Sequence, residues 1–558
     1  MRPALAGVLL ATLWGAANSP AQVYVPADYP TIQAAINSGA ALVYVSDGAY
    51  AEVLTVNRTL TLLPAPPADP YQPTPFPRVS GLQVTRNTVD DPVVYVRGFH
   101  FSGPVTQTNA YTPRHGITTL EGCRLDGGFW TYGNSGTQDA IKIRSCVITG
   151  DVYVYAYHNE FTGNVVWKGK AQVHSNGGNG ALIRDNLVIG PSADGVISSS
   201  VDANGSILRN TVTGVSTGVA LARGTASDNV VTDCPVAGFT EAAGTVGGSR
   251  VFSGNEARNC GVGYRFSVNG ATTVTGCTAE SSATYGIHAT STTSMTVTQN
   301  HVLESGSGGI RLEGGGEPVA NHVLGSGNVG ISCTGRASSN IVGRSGSHGI
   351  VGRAAARNTV YGNGGSGLLM TPAIGDSIHH NILYGNTSYG LDLSALRDTY
   401  IGCNDYFLNL APVHGAPIGA SDLQVDPQFC GVGADIVYLR SSSPLLLVHG
   451  CGLVGALGMA CGPAAGVEPS ATVERFTAAP NPVRESLELR WGGTTAASRI
   501  EFFDVRGALR RLVELPAGSR SYRWDGRDQH AHSLPGGVYY ARWTSGGRSE
   551  RVRVVLVR

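Results

Sequence analysis

Between residues 277 and 393 the chain repeats one pattern of apolar and polar positions. Each line opens on an anchor followed by a short apolar run: Cys277-Thr-Ala, Asn300-His-Val, Asn321-His-Val, Asn340-Ile-Val, Asn358-Thr-Val and Asn381-Ile-Leu. Each line then reaches a glycine and an aliphatic residue, as at Gly286-Ile287, Gly309-Ile310, Gly330-Ile331, Gly349-Ile350, Gly367-Leu368 and Gly390-Leu391. The glycine falls nine residues after the anchor in all six lines, while successive anchors stand 18 to 23 residues apart. A period of about 20 to 25 residues marks stacked repeats, because one such line is too short to bury its apolar face alone.

The pattern extends to Cys123, Cys146, Asn164, Asn186, Asn210, Asn229, Asn255 and Asn404, and predicts about 14 coils of parallel strands. At the anchor, asparagine is expected to take the left-handed backbone of a sharp bend and to bond its amide to the copies above and below. All variation in length falls between the glycine-aliphatic strand and the next anchor. In stacked repeats such variation maps to loops on one face, often the binding face.

Upstream, Thr31 to Ile36 has the spacing of a short helix behind Pro30, and Leu42–Val45, 52–56 and 60–63 alternate as strands. The segment 22–79 is read as an N-terminal cap with first strands, with 64–77 a proline-rich surface loop. Repeats occupy 80–420, a C-terminal cap 421–462, and a Pro/Gly/Ala linker 463–470. Residues 471–558 carry short alternating strands between turn residues, the pattern of a small β-sandwich.

Formal net charge is +0, so bulk charge gives no reason to expect a nucleic-acid partner. From residue 471 onward, however, 15 Arg stand against 9 Asp and Glu. Residues 1–21 read as a signal peptide: Arg2, an apolar run from Ala4 to Trp14, then small residues before Gln22. The apolar run is too short to span a bilayer, and no membrane span is expected once the signal is removed. Export gives the ten cysteines meaning, since disulfides persist outside the cytoplasm. Cys403–Cys430 and Cys451–Cys461 are the expected bridges, Cys277 and Cys333 are expected as buried thiols, and no metal-ligand spacing occurs.

Two stretches resemble known families. "TIQAAI … VYVSDGAYAEVLTV" and the order Asp426-Pro-Gln-Phe-Cys430 … Cys461 resemble secreted right-handed parallel β-helix proteins of the pectin-lyase-like superfamily. The resemblance implies an all-β fold, a right-handed parallel β-helix followed by the small β-sandwich, in agreement with the crossover rule for parallel strands. "Ala479-Pro-Asn-Pro482", "Tyr522-Arg-Trp-Asp-Gly526" and "Gly536-Gly-Val-Tyr-Tyr-Ala-Arg542" resemble immunoglobulin-like C-terminal domains related to flagellar hook-capping and type IX sorting domains. That resemblance implies attachment or sorting at a cell surface, with the secretion machinery as partner.

Strand parity supplies candidate contacts. The residue after each aliphatic faces outward, which places Arg265, His288 and Arg311 in one basic column. Counting from Cys123 and Cys146 aligns Trp130 with Tyr153 and Tyr132 with Tyr155, and puts Tyr157 in the column of Arg265. Aligned rings offer a sugar-stacking platform, and guanidinium forks match carboxylate or sulfate. The bland alternatives are cross-strand aromatic pairing and a solvated charged face balanced by nearby glutamates such as Glu313. His301 and His322, on adjacent coils, read as ordinary loop-packed histidines. Ser347-His348-Gly349-Ile350 and Asp139-Ala-Ile-Lys142 resemble polygalacturonase fragments but lie many coils apart, so no catalytic residue is assigned. No cofactor is implied. The expected function is polysaccharide binding by an exported surface or secreted protein; the alternatives are a lyase or hydrolase of acidic glycans and a structural rod or adhesin.

Overall fold

The computed structural model describes 22–461 apart from 67–75, 86–91, 109–115, 133–138, 176–179, 193, 199–204, 243–247, 268–269, 291–294 and 395–396. It also describes 476–557 apart from 480, 482, 484–485, 492–496, 505–507 and 546–547. The expected signal peptide and the 463–470 linker lie outside the described residues, as does most of the proline-rich loop.

The chain is all-β and forms a right-handed parallel β-helix of about 17 turns. Among the described residues, each coil gives one strand to an 18-stranded sheet and most coils give two to a second sheet of 32 strands. The count of 14 coils is therefore too low. The first coils pair in parallel register, Gln22–Val25 with Leu42–Val45 and then with Leu60–Pro64 and Val93–Arg97, without the asparagine signal. In the coil of Val93–Arg97 the anchor place is held by Phe99, fully buried, so the sequence count starts one step late.

The anchors form a buried ladder. Asn321 shows the geometry: its backbone N–H and its Nδ2 both donate to Asn340 Oδ1 (2.9 and 3.0 Å), and Nδ2 also donates to the Val297 carbonyl at 3.0 Å. The ladder runs from Asn164 to Asn255, passes through Cys277, and resumes from Asn300 to Asn404, ending on Asp422. Each rung satisfies buried polar groups that water cannot reach. The expectation that asparagine itself takes the left-handed backbone is wrong. The positive φ belongs to the residue before it, as at Gln299, Ala320, Ser339, Arg357 and His380. The amide points inward because the preceding residue makes the bend.

A second ladder, five residues after the anchors, lines the next bend. Asn363, Asn386 and Asn409 stack amide to amide. Cys234, Cys260, Ser282, Ser305, Ser326 and Ser345 hold the same place in earlier coils and are buried. The fixed glycine also has a cause: a Cβ on Gly330 would lie 2.3 Å from Val342 Cγ1 and 2.6 Å from the Gly349 carbonyl of the next coil. Valine fills the space that a side chain would need.

Helix Ile32–Asn37 covers the open first coil. Thr31 Oγ1 accepts from Ala34 N–H, Glu52 accepts from the N–H groups of Ile32 and Gln33, and Ile32, Ala35 and Ile36 are buried. At the other end, Phe429–Gly431, Ile436–Arg440 and Met459–Cys461 form a small sheet. This segment folds back along the flank, packing Phe429, Leu439 and Val454 on Leu324, Tyr361 and Ile382. The fold-back corrects the disulfides. The four cysteines pair as Cys403–Cys451 and Cys430–Cys461, the first joining the last coil to the cap. Neighbours in sequence are not partners because the cap reverses direction. Among the described residues the other six cysteines are free and buried.

Beyond the β-helix, Thr477–Ala479, Leu487–Arg490 and Ser521–Trp524 form one antiparallel sheet, and Ser498–Asp504, Leu509–Leu515, Gly537–Ser545 and Arg548–Leu556 another. Both contribute to one core containing Trp491, Phe502, Trp524 and Trp543.

Candidate glycan-binding face

One column of outward strand positions runs along the second sheet, half-buried to exposed toward its two ends and buried at Ala220 and Thr240. Its register is continuous from Thr106 through Trp130, Tyr153, Gln172, Ile197, Ala220 and Thr240 to Arg265. It continues through His288, Arg311, Ser332, Val351 and Leu369 to Asp392 and His414. The Trp130–Tyr153 pair and the Arg265–His288–Arg311 trio, read from the sequence as separate features, thus lie on one line.

At the first end, Trp130 stacks on Tyr153 with centroids 6.1 Å apart, and His174 meets Tyr153 and Tyr155 at 5.2 and 5.8 Å. Burial, then Lys170, lowers His174 to about 4, so its ring is neutral at neutral pH. Tyr132 is exposed. The strand pairing of Trp130 with Tyr153 is not continued to Tyr132 and Tyr155, because Thr131 Oγ1 accepts from the Tyr155 N–H at 2.9 Å. Tyr157 does not join the column. Its strand ends at Ala156, and the N–H groups of Tyr157 and His158 both donate to the Asp139 carbonyl. Tyr153 holds the place that the count gave to Tyr157.

In the middle, Arg265, His288 and Arg311 are in register but do not form a bare basic strip. Glu313 lies 2.7 Å from Arg311 Nε and 3.4 Å from His288 Nε2. Arg311 Nη1 also donates to the Tyr285 hydroxyl at 2.7 Å, and this bond raises the guanidinium further. Arg265 has no ion pair among the described residues. The strip is a mixed hydrogen-bonding surface carrying about one uncompensated cation.

The far end holds a cluster that the sequence count missed. His414 Nδ1 lies 2.8 Å from Asp392 Oδ1, and its ring stacks on Tyr389 at 4.7 Å with a 17° interplanar angle. Ser366 Oγ donates to Asp392 Oδ2 at 3.4 Å. The column residue falls eleven places after its anchor in most coils, ten for Ala220, Arg265 and His414, eight for Gln172 and seven for Trp130 and Tyr153. The coils of Gln172 and His414 lack the glycine nine residues after the anchor, so counting slips there. His301 and His322 meet edge to face at 5.6 Å on the flank, His322 lowered to about 4 by burial. Among the described residues no group of three or more His, Cys, Asp or Glu is placed to hold a metal ion, and no helix is long and apolar enough to cross a membrane.

This strand pairing defines a parallel β-helix with a decorated outer face. A family model described as "Right handed beta helix region" matches residues 200–347. No curated protein matches the chain. Among solved structures, the periplasmic alginate epimerase AlgG is 11% identical over 58% of this chain and 76% of its own, with TM-score 0.31. The A-module of mannuronan C-5 epimerase AlgE6 from Azotobacter vinelandii is 13% identical over 70% and 93%, with TM-score 0.14. PorZ, a surface component of the type-IX secretion system of Porphyromonas gingivalis, is 17% identical over 17% of this chain, with TM-score 0.14; this chain covers 13% of PorZ.

Proposed function

We propose that this protein is an exported surface or secreted β-helix that binds polysaccharide along the outward column. The observation that carries the reading is the uninterrupted register that joins the Trp130–Tyr153 rings to Arg265, His288 and Arg311. A linear polymer fits a linear face. Rings supply flat contact for sugars, and the polar middle supplies hydrogen bonds to hydroxyls. The 471–558 region is proposed as an immunoglobulin-like attachment or sorting domain, supported by its own core and by its sequence resemblance.

The test is retention of the full chain on a panel of neutral and acidic glycans, with product release scored separately. Retention that drops at least tenfold in Trp130→Ala and Tyr153→Ala, without product, is the expected result. Absence of both retention and turnover on every glycan would replace this reading with a structural rod.

A second reading, an enzyme acting on the same polymer, has one observation in its favour. Asp392 holds His414 through Nδ1, an arrangement that leaves Nε2 for proton transfer. Product formation abolished by His414→Ala, with retention intact, would establish it.

A further inference from the structure

Beside the far end of the column lies a cleft of about 610 Å³, within the size range of small-ligand sites. Arg353, Thr371, Ser394 and Arg397 line it together with the apolar Pro372, Ala373 and Ile374. Ser394 follows Asp392 by two residues on one chain run, so the cleft opens roughly 7 Å along the strand direction from the Asp392–His414 pair.

We propose that this cleft is a subsite for an anionic sugar ring, one bearing a carboxylate or a sulfate. This deepens the glycan-binding reading and rests on it. The lining offers two guanidinium groups and two hydroxyls and no carboxylate. Such a set is complementary to an anion and has little to offer a neutral acceptor-poor ligand. Arg353 is held in place: Nε and Nη2 donate to the two Asp376 oxygens at 3.1 and 3.3 Å, which leaves Nη1 for a ligand. Asp376 Oδ2 also accepts from the Ala373 N–H, and the Asp376 carbonyl from the Tyr400 N–H, so the carboxylate that anchors the arginine also fixes the cleft wall. Arg397 is exposed and has no ion pair among the described residues; Asp398 beside it is the nearest counter-charge in the sequence. Ile374, 75% exposed, forms an apolar edge against which a sugar ring can lie, above the buried Pro372. In the middle of the column Glu313 occupies Arg311 and His288 and leaves Arg265 as the unpaired cation, as Asp376 occupies Arg353 and leaves Arg397 in the cleft.

The experiment is calorimetric titration of the full chain with three oligosaccharides of equal length: an oligogalacturonate, a sulfated dextran fragment and a neutral dextran fragment. At least one charged probe is expected to bind tenfold or more tightly than the neutral one, and which one does so names the anionic group. Arg397→Gln, which breaks no ion pair among the described residues, and Arg353→Gln are expected to erase that preference. Asp376→Asn, which keeps both arginines, should retain the preference at least in part. Equal affinity for all three probes, or a preference that survives Arg397→Gln together with Arg353→Gln, overturns the subsite. Trp130→Ala separates the two readings. If it weakens every probe alike, the column reading stands whatever becomes of the cleft. If it changes nothing while Arg397→Gln does, the column reading falls and the cleft remains.

Discussion

Asp405 is the residue whose chemistry is most constrained. It sits between the last coils and the folded-back cap, with Oδ1 accepting the Val425 N–H at 2.9 Å and Oδ2 buried without a partner among the described residues. Burial, and then Asp426, push its carboxyl up to about 7 from the ordinary 3.8. The folded chain therefore keeps this proton over a range in which the unfolded chain has lost it. Stability is fully present below about pH 4, falls through the window from about 4 to 7, and stays reduced above it. A tenfold difference in proton affinity between the folded and unfolded chain is worth about 1.4 kcal/mol. Asp405→Asn keeps the acceptor and removes the charge. Its melting temperature is expected to fall less than that of the parent between pH 5 and pH 8, and thermal denaturation at the two values decides the matter. His174 and His322 act with the opposite sign. Both are lowered to about 4, so their stability contribution is lost as pH falls from about 6.5 toward 4.

At the scale of the strand and its bends, what the sequence revealed was position. Counting from Cys123 and Cys146 aligns Trp130 with Tyr153, and counting from Asn255, Cys277 and Asn300 puts Arg265, His288 and Arg311 on one line, the second because the coil from anchor to glycine is a nearly constant unit. The count fails where the unit changes. It carries Tyr157 past the end of its strand, and it loses His414 in a coil without the glycine. The second ladder stays hidden because three chemistries, thiol, hydroxyl and amide, share one inward place. The ladders make a direct prediction. Asn340→Ala leaves buried backbone groups of Asn321 and of the Pro318 carbonyl without partners, at a cost of about 1–3 kcal/mol each. Hydrogen exchange should accelerate in the coils around 321–358 and leave the first coils unchanged. Gly330→Ala, which forces a methyl against Val342, is expected to cost about 1–3 kcal/mol. Val342→Ala in the same chain should recover part of that loss, although the Gly349 carbonyl still crowds the site.

The whole molecule is held at its ends and on its flank. Cys403–Cys451 closes a 48-residue loop and ties the last coil to the cap, and the chain-entropy model gives such a bridge about 4 kcal/mol. Cys403→Ser with Cys451→Ser should lower the melting temperature, with faster hydrogen exchange confined to the last coils and the cap. The flank contact reaches farther. Val165 and Leu187, on the outer face of two adjacent coils, share one buried cluster with Val538 and Val555 of the C-terminal region, and Ile189, Tyr540 and Val557 pack around it. The equivalent outward places in later coils are Thr211, Val230, Glu256, Thr278 and His301, polar in all but Val230. On the other side, Gly537–Ser545 and Arg548–Leu556 turn Tyr539, Ala541 and Val554 toward their own core, leaving Val538 and Val555 to face the coils. Two apolar patches, each out of place on a solvent-facing sheet, cover one another. Leu187→Asp places a charge in this contact without touching either core. It is expected to separate the two regions: the radius of gyration from small-angle scattering should rise, while circular dichroism and the melting of the β-helix stay as in the parent. An unchanged radius would mean that the contact is not what holds the C-terminal region, and the outer valines of its sheet would then need another partner.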